Sequence, residues 1–328
     1  MALFRRDRRQ PETTTLFFAT DIHGSEVCWR KFVAAADFYS ADVLILGGDF
    51  TGKLVIPVVS RGGGRYTATF MSKDHELTSD DLTGFFRRVA DSGFYPVEME
   101  PDRFAEARAH PEMVDDLFQE LMVERLISWI RLAHEKLEGS DVRIYTAPAN
   151  DDPYYIDDVI AEHGGGRFIN VEDQIVTFAP GHEMISTGYT NRTPWATPRE
   201  FDEHVIESHI DQMVARLSSV ETAIFNLHPP PHGTALDPAP KLDGELRVVT
   251  SSGATVMDHV GSKAVLSVIE RHQPLLSLHG HIHESAGRVQ IGRTTAINPG
   301  SEYGEGVLKG AIVRIGGGQI HSYQATSG

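Results

Sequence analysis

Cysteine is almost absent from this sequence, which has one cysteine, Cys28, among 328 residues. A single thiol cannot form an intrachain disulfide, so a disulfide framework is excluded and a reducing compartment is favoured. Long apolar runs are lacking as well. No stretch approaches the roughly 18 residues of a membrane span, and the first residues contain no apolar segment typical of a signal peptide. We therefore predict a cytoplasmic protein that has no membrane partner.

Positive charge is also scarce. Lysine and arginine number 30 against 46 acidic residues, which gives a formal net charge of -16. This excess of negative charge disfavours electrostatic binding to nucleic acid or to an anionic membrane over a broad surface. The local exception is a group of four arginines, Arg5, Arg6, Arg8 and Arg9. A polar run and Pro11 follow them, so we predict that residues 1–13 form a flexible tail. A nuclease function is disfavoured because no further basic track follows.

Short β-prone runs recur along the chain, and each ends in polar, glycine or proline residues. The runs are "TTLFFATDIHG", "ADVLILGGDF", "DVRIYTAPAND", "TAIFNLHPPPHG" and "PLLSLHGHIHES". Helical periodicity lies between them, from Leu126 to Leu137, from about Phe201 to Leu217, and after Ser262, a plausible N-cap. Strands that alternate with helices predict an α/β protein whose site lies at the strand ends.

The domain organisation predicted from this rhythm is a single domain over residues 14–324. Residues 51–111 interrupt the regular alternation with a glycine-rich turn and an acidic, helix-prone stretch. We predict that this segment is an insertion that forms a cap over the site. The last residues, "RIGGGQIHSYQATSG", are typical of a hairpin followed by a frayed end.

Side chains that can bind metal ions follow these predicted strands. Asp21 and His23 are two residues apart, as are His281 and His283, and residues at this spacing on a strand point to one side. Asp49, Asn150 and His228 each end another run. Carboxylate and imidazole ligands together suit zinc, manganese or iron. Seven donors exceed the usual number for one metal, and they suffice for two if one carboxylate bridges the ions.

The ordered blocks "DIHG", "GGD", "AND", "LH" and "GHIH" resemble those of the calcineurin-like metallophosphoesterases, and part of the chain is similar to a poorly characterised prokaryotic subgroup. The resemblance implies a four-layer αββα sandwich of two mixed β-sheets, of the metallo-dependent phosphatase type. It implies one divalent ion (Mn, Fe or Zn) held by Asp21, His23, Asp49 and His283. It implies a second ion held by Asp49, Asn150, His228 and His281, with Asp49 bridging.

The activity implied by the resemblance is hydrolysis of a phosphate ester by attack of metal-bound hydroxide. A small phosphodiester or nucleotide-type substrate is favoured. Three alternatives stay open: a phosphomonoesterase, a hydrolase that uses a single metal ion, and a non-catalytic scaffold built on the same fold. The presence of all seven donors disfavours the scaffold.

One block departs from the family pattern. The family usually has Gly-Asn-His-Asp/Glu where this chain has Ala149, Asn150, Asp151 and Asp152. The missing histidine commonly protonates the leaving group, so the candidates for this catalytic role are Asp151, His232 and His279. The candidates for substrate contacts are Asn150, Arg192, as a phosphate clamp, and Ser301.

Overall fold

The computed structural model describes residues 13–328, and most of the tail predicted for residues 1–13 lies outside the described residues. The helices are α1 (Glu26–Phe38), α2 (Ser79–Asp91), α3 (Pro101–Ala109), α4 (Pro111–Lys136), α5 (Tyr155–His163), α6 (Glu203–Val214) and α7 (Lys263–His272). The strands are β1 (Thr14–Ala19), β2 (Val43–Leu46), β3 (Val55–Ser60), β4 (Arg65–Phe70), β5 (Lys73–Thr78), β6 (Tyr95–Met99), β7 (Arg143–Thr146), β8 (Phe168–Asn170), β9 (Ile175–Ala179), β10 (His182–Thr187), β11 (Thr190–Asn191), β12 (Glu200–Phe201), β13 (Ile224–Leu227), β14 (Pro238–Pro240), β15 (Thr250–Ser251), β16 (Ala254–Thr255), β17 (Met257–His259), β18 (Leu276–Leu278), β19 (Gly287–Ile291), β20 (Thr294–Asn298), β21 (Lys309–Gly316) and β22 (Gln319–Ser327).

Two six-stranded sheets form the centre of the molecule. The first has the order β22-β21-β1-β2-β7-β8, and the second has the order β19-β20-β18-β13-β10-β9. Strands β1, β2, β7 and β8 run parallel, whereas β21 is antiparallel to both β1 and β22. In the second sheet β10, β13, β18 and β20 run parallel, with β9 and β19 antiparallel at the edges. Both sheets are therefore mixed.

Side chains alternate between two cores along β1. Leu16 and Phe18 point into the layer between the sheets, where residues of the second sheet such as Ile224 and Leu276 meet them. Phe17 instead faces the core beneath α1, α4 and α5. This period of two is the expected geometry of a strand buried on both faces.

The second sheet has its own helical layer, in which α6 and α7 cover Ile185, Phe225 and Leu227. The layers therefore run helix, sheet, sheet, helix, and the predicted αββα sandwich is confirmed. Strand β13 shows the same alternation as β1, since Ile224 faces the sheet interface while Phe225 faces the helices.

The helix predicted after Ser262 begins where its cap signal indicated. The Ser262 hydroxyl accepts a hydrogen bond from the Val265 backbone N–H, and α7 follows it directly. The helix predicted over residues 201–217 is shorter, because Phe201 belongs to β12 and α6 begins at Glu203.

Residues 51–111 contain a separate four-stranded sheet of order β5-β4-β3-β6, which we call the insertion sheet. It packs against α2 around its own apolar cluster, which includes Val58, Phe70 and Phe85. The segment contacts the sandwich beside the loop after β1, where the Ser25 hydroxyl donates to the Asp91 carbonyl. The role of this segment as a cap stays a prediction.

The C-terminal hairpin is confirmed, but the frayed end is not. Strand β22 pairs with β21 as far as Ser327, and Gly328 exchanges two backbone hydrogen bonds with Leu308. In the described part of the chain, none of the helices has the length and apolar character needed to cross a membrane.

Candidate metal centre

The seven predicted donors lie in loops that follow parallel strands. Asp21 and His23 follow β1, Asp49 follows β2, and Asn150 follows β7, all in the first sheet. In the second sheet, His228 follows β13, and both His281 and His283 follow β18. His228 and His283 of the second sheet contact Asp21 of the first, so the carboxyl ends of the two sets of strands meet at one rim of the sandwich. This is the usual place for a site in an α/β protein.

The backbone of this rim is strained. The φ angles of four residues lie in the left-handed region, which residues other than glycine rarely adopt: 53° for Asp21, 38° for His23, 49° for Asp49 and 68° for His281. The strand spacing that predicted a shared direction for Asp21 and His23 is therefore not what aims them, since β1 ends at Ala19. Such strain is typical of functional loops that the surrounding structure holds in place.

The first group of donors is centred on Asp21. The Asp21 carboxylate lies 3.3 Å from His283 Nε2 and 3.9 Å from His23 Nε2, and the two imidazole Nε2 atoms are 3.1 Å apart. Asp21, His23 and His283 can thus present ligand atoms within 4.8 Å of one another. Thr20 and the backbone N–H of His281 donate hydrogen bonds to the same carboxylate and fix its orientation.

The second group is centred on Asp49 and includes His228 and His281. His228 Nε2 lies 3.2 Å from the Asp49 carboxylate and 3.7 Å from that of Asp21, so the two groups are adjacent. His228 Nδ1 donates to the Gly47 carbonyl at 2.9 Å, which in the neutral ring directs the Nε2 lone pair toward the carboxylates.

Asn150 is oriented by its amide nitrogen. Nδ2 donates to the Thr197 hydroxyl at 3.1 Å and to the Asp151 carboxylate at 3.3 Å. These bonds leave the Oδ1 atom as the free end of the side chain, and this buried oxygen has no hydrogen-bond partner among the described residues. An amide oxygen without a partner is a suitable ligand for a divalent ion.

The electrostatics of the rim favour positive charge. Asp21 and Asp49 are almost fully buried. Burial alone would lower the pKa of His228, but the Asp49 and Asp21 carboxylates outweigh it and raise that pKa to about 10. Burial, together with the positive charge on His228, lowers the pKa of His281 to about 4. Burial and the nearby Lys53 ammonium hold the pKa of His23 well below its usual value.

These features fit divalent metal ions. Buried polar atoms are normally hydrogen-bonded, yet within residues 13–328 His23 Nδ1 and Asn150 Oδ1 have no partner, and His228 Nε2 faces the Asp49 and Asp21 carboxylates. They accompany two buried carboxylates, and imidazole, carboxylate and amide oxygen are all good ligands for zinc, manganese or iron. A bound ion would replace the proton that the carboxylates favour on His228. The chemistry of these donors thus fits a metal centre.

The loops that carry the donors are fixed by further side chains. The Ser301 hydroxyl donates to the Asp21 carbonyl at 2.6 Å, and Asn298 Nδ2 donates to the Ile282 carbonyl at 2.9 Å. Buried Asp152 accepts from Thr51 N–H at 2.9 Å and from Ala149 N–H at 2.9 Å, which joins the loops after β2 and β7. Ser301, predicted to contact substrate, is thus engaged with the backbone of a predicted ligand.

The residues predicted to act in catalysis or to contact substrate lie in different environments. Asp151 N–H donates to Asp49, and its carboxylate lies 3.7 Å from His23 Nδ1, so it borders the centre. His279 is fully buried, and its Nδ1 donates to the carbonyls of Leu227 and Pro229, an arrangement typical of a structural residue. His232 Nδ1 lies 3.6 Å from the buried Asp237 carboxylate. Arg192 forms an exposed ion pair with Asp202 at 3.0 Å.

Lys53 and Tyr303 lie at the rim and were not predicted from the sequence. Lys53 Nζ lies 2.8 Å from the Asp151 carboxylate. The ring centroids of Tyr303 and His23 are 4.7 Å apart. Neither belongs to a metal-ligand pattern. The one available signal was the position of Lys53, four residues after Asp49 at the start of the segment predicted to be inserted.

Comparison with known proteins gives limited sequence similarity. No family model matches the chain. A curated relative, the uncharacterized protein MJ1162 of Methanocaldococcus jannaschii, is 31% identical over 118 residues, which are 35% of this chain. The match spans about half of that relative, 47% of its length.

Solved structures resemble the chain over nearly its full length. One crystal structure matches with a TM-score of 0.58 at 16% identity and covers 96% of this chain and 99% of its own. TT1561 of Thermus thermophilus matches with a TM-score of 0.47 at 13% identity over 91% of this chain and 94% of its own. A novel archaeal phosphodiesterase matches with a TM-score of 0.34 at 10% identity over 95% and 99%. At 16% identity, the match with a TM-score of 0.58 shows a similar fold and nothing about function.

Proposed function

We propose that this chain is a metal-dependent phosphoesterase that binds two divalent ions and hydrolyses a phosphate ester. The observation that carries the proposal is the convergence of the His23, His228 and His283 imidazoles on the buried carboxylates of Asp21 and Asp49, together with the buried, unpartnered Asn150 Oδ1. A non-catalytic scaffold on this fold would not need to keep such costly polar atoms at one buried rim.

In this proposal Asp21, His23, Asp49 and His283 hold one ion, while Asp49, Asn150, His228 and His281 hold the other. Bound manganese, iron or zinc would supply Lewis-acid activation of water and neutralise the charge of the phosphoryl group. The residues of the chain orient these ligands: Gly47 fixes the His228 ring, Thr20 and His281 N–H fix Asp21, and Thr197 fixes Asn150.

The substrate we favour is a small phosphodiester or nucleotide-type ester. Two local observations bear on the leaving-group role predicted for Asp151, His232 or His279. His279 is buried beneath the loop after β13, which supports a structural role for it. Asp151 contacts the Lys53 ammonium at 2.8 Å, which supports a role in holding that cation rather than in protonating the leaving group.

The test of this function is metal analysis combined with hydrolysis assays. We expect about two metal ions per chain and manganese-stimulated hydrolysis of a generic phosphodiester. Asp49→Ala removes the carboxylate shared by both ligand sets, so we expect a loss of activity greater than the 10–100-fold that outer ligand-sphere changes typically cause. Asp258→Ala, which alters an exposed carboxylate paired with Lys241, should retain wild-type activity. Full activity of Asp49→Ala or of metal-stripped protein would refute the proposal.

The same assay separates a diesterase from a monoesterase. A diester and a monoester that carry the same aromatic leaving group should be compared at equal metal loading. Faster turnover of the diester per enzyme at saturation would support the substrate we favour. Faster turnover of the monoester would assign the alternative, a phosphomonoesterase, without changing the metal-dependent chemistry.

A further inference from the structure

Lys53 is held at the edge of the candidate metal centre by a carboxylate. Its Nζ lies 2.8 Å from Asp151 Oδ2, and the Asp151 side chain is 20% exposed whereas that of Lys53 is 45% exposed. Asp151 in turn is tied to the centre, because its N–H donates to Asp49 Oδ1 at 2.8 Å. The ammonium therefore lies one side chain away from two of the predicted ligands, Asp49 and His23.

The backbone that carries Lys53 is fixed on both sides. Thr51 N–H and hydroxyl donate to the buried Asp152 carboxylate at 2.9 and 2.8 Å. Gly52 N–H donates to the Tyr95 hydroxyl at 2.9 Å, and the Leu54 carbonyl accepts from Tyr95 N–H at 2.9 Å. Lys53 is thus placed by rigid backbone at the junction between the first sheet and the insertion sheet, unlike a lysine on a free surface loop.

The ammonium retains capacity for a further ligand. An ammonium has three N–H donors and no acceptor, and the contact with Asp151 uses one of them. A cation with free donors beside a metal centre is suited to an oxygen of a phosphoryl group.

We propose that Lys53 binds the phosphoryl group of the substrate at the metal centre, with Asp151 as the positioning residue that holds its ammonium in place. This inference rests on the proposed function and adds a substrate contact supplied by the inserted segment. An alternative role for Lys53 is merely to neutralise Asp151, whose carboxylate would otherwise repel an anionic substrate. The two roles predict different behaviour of a double variant.

The experiment measures binding of inorganic phosphate to the manganese-loaded full chain by isothermal titration calorimetry. Lys53→Met should weaken binding by about 10- to 100-fold, because it removes a hydrogen bond between two charged groups. Lys53→Arg should restore most of the affinity because it keeps the charge and the donors. Lys241→Met, which breaks an exposed pair with Asp258, is the matched control and should bind phosphate as the wild type does.

The double variant Lys53→Met/Asp151→Asn separates contact from neutralisation. Phosphate binding that stays weak in the double variant supports a direct contact by Lys53. Wild-type affinity in the double variant would overturn the inference, as would wild-type affinity in Lys53→Met itself. Turnover should agree, with a raised KM for the generic diester in Lys53→Met.

Metal content measured on the same samples keeps this inference apart from the proposed function. Wild-type protein that takes up no manganese contradicts the proposed function and removes the basis of the inference with it. Protein that binds two ions, but whose phosphate affinity does not depend on Lys53, contradicts only the inference.

Discussion

Asp21, His23, Asp49 and His281 share an unusual backbone conformation, each with a positive φ angle. A left-handed conformation costs a residue with a side chain roughly 1–2 kcal/mol, so these positions reduce the stability of the metal-free protein. The loops tolerate this cost because their neighbours determine them: Asp21 N–H donates to the Gly48 carbonyl, and His23 N–H donates to the Asp49 carbonyl. The backbone of one predicted ligand thus shapes that of another.

Gly280 shows how little space surrounds these ligands. A Cβ atom at this position would lie 2.3 Å from Asp21 Oδ2 and 2.3 Å from Thr20 Oγ1. Gly280→Ala should therefore displace the Asp21 carboxylate and weaken manganese binding by about 10- to 100-fold, as other changes in ligand orientation do. The measurement is a manganese titration of chelator-stripped protein.

The matched control for this substitution is Gly244→Ala, where an added Cβ meets no atom within 4 Å. It should leave manganese affinity unchanged. Equal manganese affinity of Gly280→Ala and the wild type would show that the Asp21 carboxylate does not need its present position to bind the ion.

At the scale of single residues, the sequence indicates where the predicted donors lie better than it indicates which side chains surround them. Asp49 and His228 follow short β-prone runs, and this pattern is visible without a structure. Lys53 and Thr197 carry no such signal, because a lone lysine or threonine has many uses and only the path of the chain brings these two to the rim. The i, i+2 spacing of Asp21 and His23 indicated proximity for the wrong reason, since both lie beyond the end of β1.

Among the elements, α7 is joined to α6 through its first turn. The Glu203 carboxylate accepts from the Ser262 hydroxyl at 2.6 Å and from the N–H groups of Lys263 and Ala264 at 2.9 and 2.8 Å. A carboxylate at the N-terminus of a helix satisfies free N–H groups and complements the helix dipole. One side chain of α6 therefore caps the neighbouring helix.

Ser262→Ala removes both the N-cap bond to Val265 N–H and the bond to Glu203. We expect the free energy of unfolding to fall by about 1 kcal/mol, within the usual 0.5–2 kcal/mol for such caps. Urea unfolding of the metal-free protein measures this change. Ser267→Ala, in the same helix, removes a hydroxyl bond to Glu207 but no cap, and should cost less. Equal losses for the two variants would contradict a specific capping role.

The elements also differ in how readily their sequence predicts them. Helix α7 has a serine cap and a regular apolar face, so its start was predictable. The insertion sheet was not, because strands such as β4 and β5 mix exposed polar residues with few buried ones. Their pairing depends on the turns at residues 61–64 and 71–72 and on packing against α2, which local patterns do not encode.

On the scale of the whole molecule, Glu172 links the two large sheets. It follows β8 of the first sheet, and its carboxylate accepts from the Thr187 hydroxyl at 2.6 Å and from Gly188 N–H at 2.7 Å, at the end of β10 of the second. Burial raises the pKa of Glu172 from its usual 4.5 to about 7, although the two hydrogen bonds oppose the shift. The junction between the sheets therefore contains a group that titrates near neutral pH.

This group should make stability depend on pH. Between pH 4.5 and 7 the folded state retains the proton of Glu172 while the unfolded state releases it, so raising the pH favours unfolding. Relative to Glu172→Gln, wild-type protein should lose about 2–3 kcal/mol of unfolding free energy from pH 5 to pH 8. Urea unfolding in chelator at both pH values gives this difference. The prediction fails if the two proteins change stability in parallel.

The two-sheet architecture could not be predicted from strand order in the sequence. The resemblance to metallophosphoesterases implied it, whereas periodicity alone predicted an α/β protein in which strands alternate with helices. The reason is physical: residues such as Phe18 and Ile224 have the same pattern whether a helix or a second sheet covers them. Only long-range packing separates these cases.

The position of β1 has a consequence for biosynthesis. This strand, which leads to Asp21, lies between β2 and β21, so one of its neighbours is translated almost 300 residues after it. A ribosome-bound chain must therefore keep an apolar strand unpaired on one side until β21 emerges. The donors that follow β18 also arrive late, so the nascent protein has to reach most of its structure before the proposed metal centre is assembled.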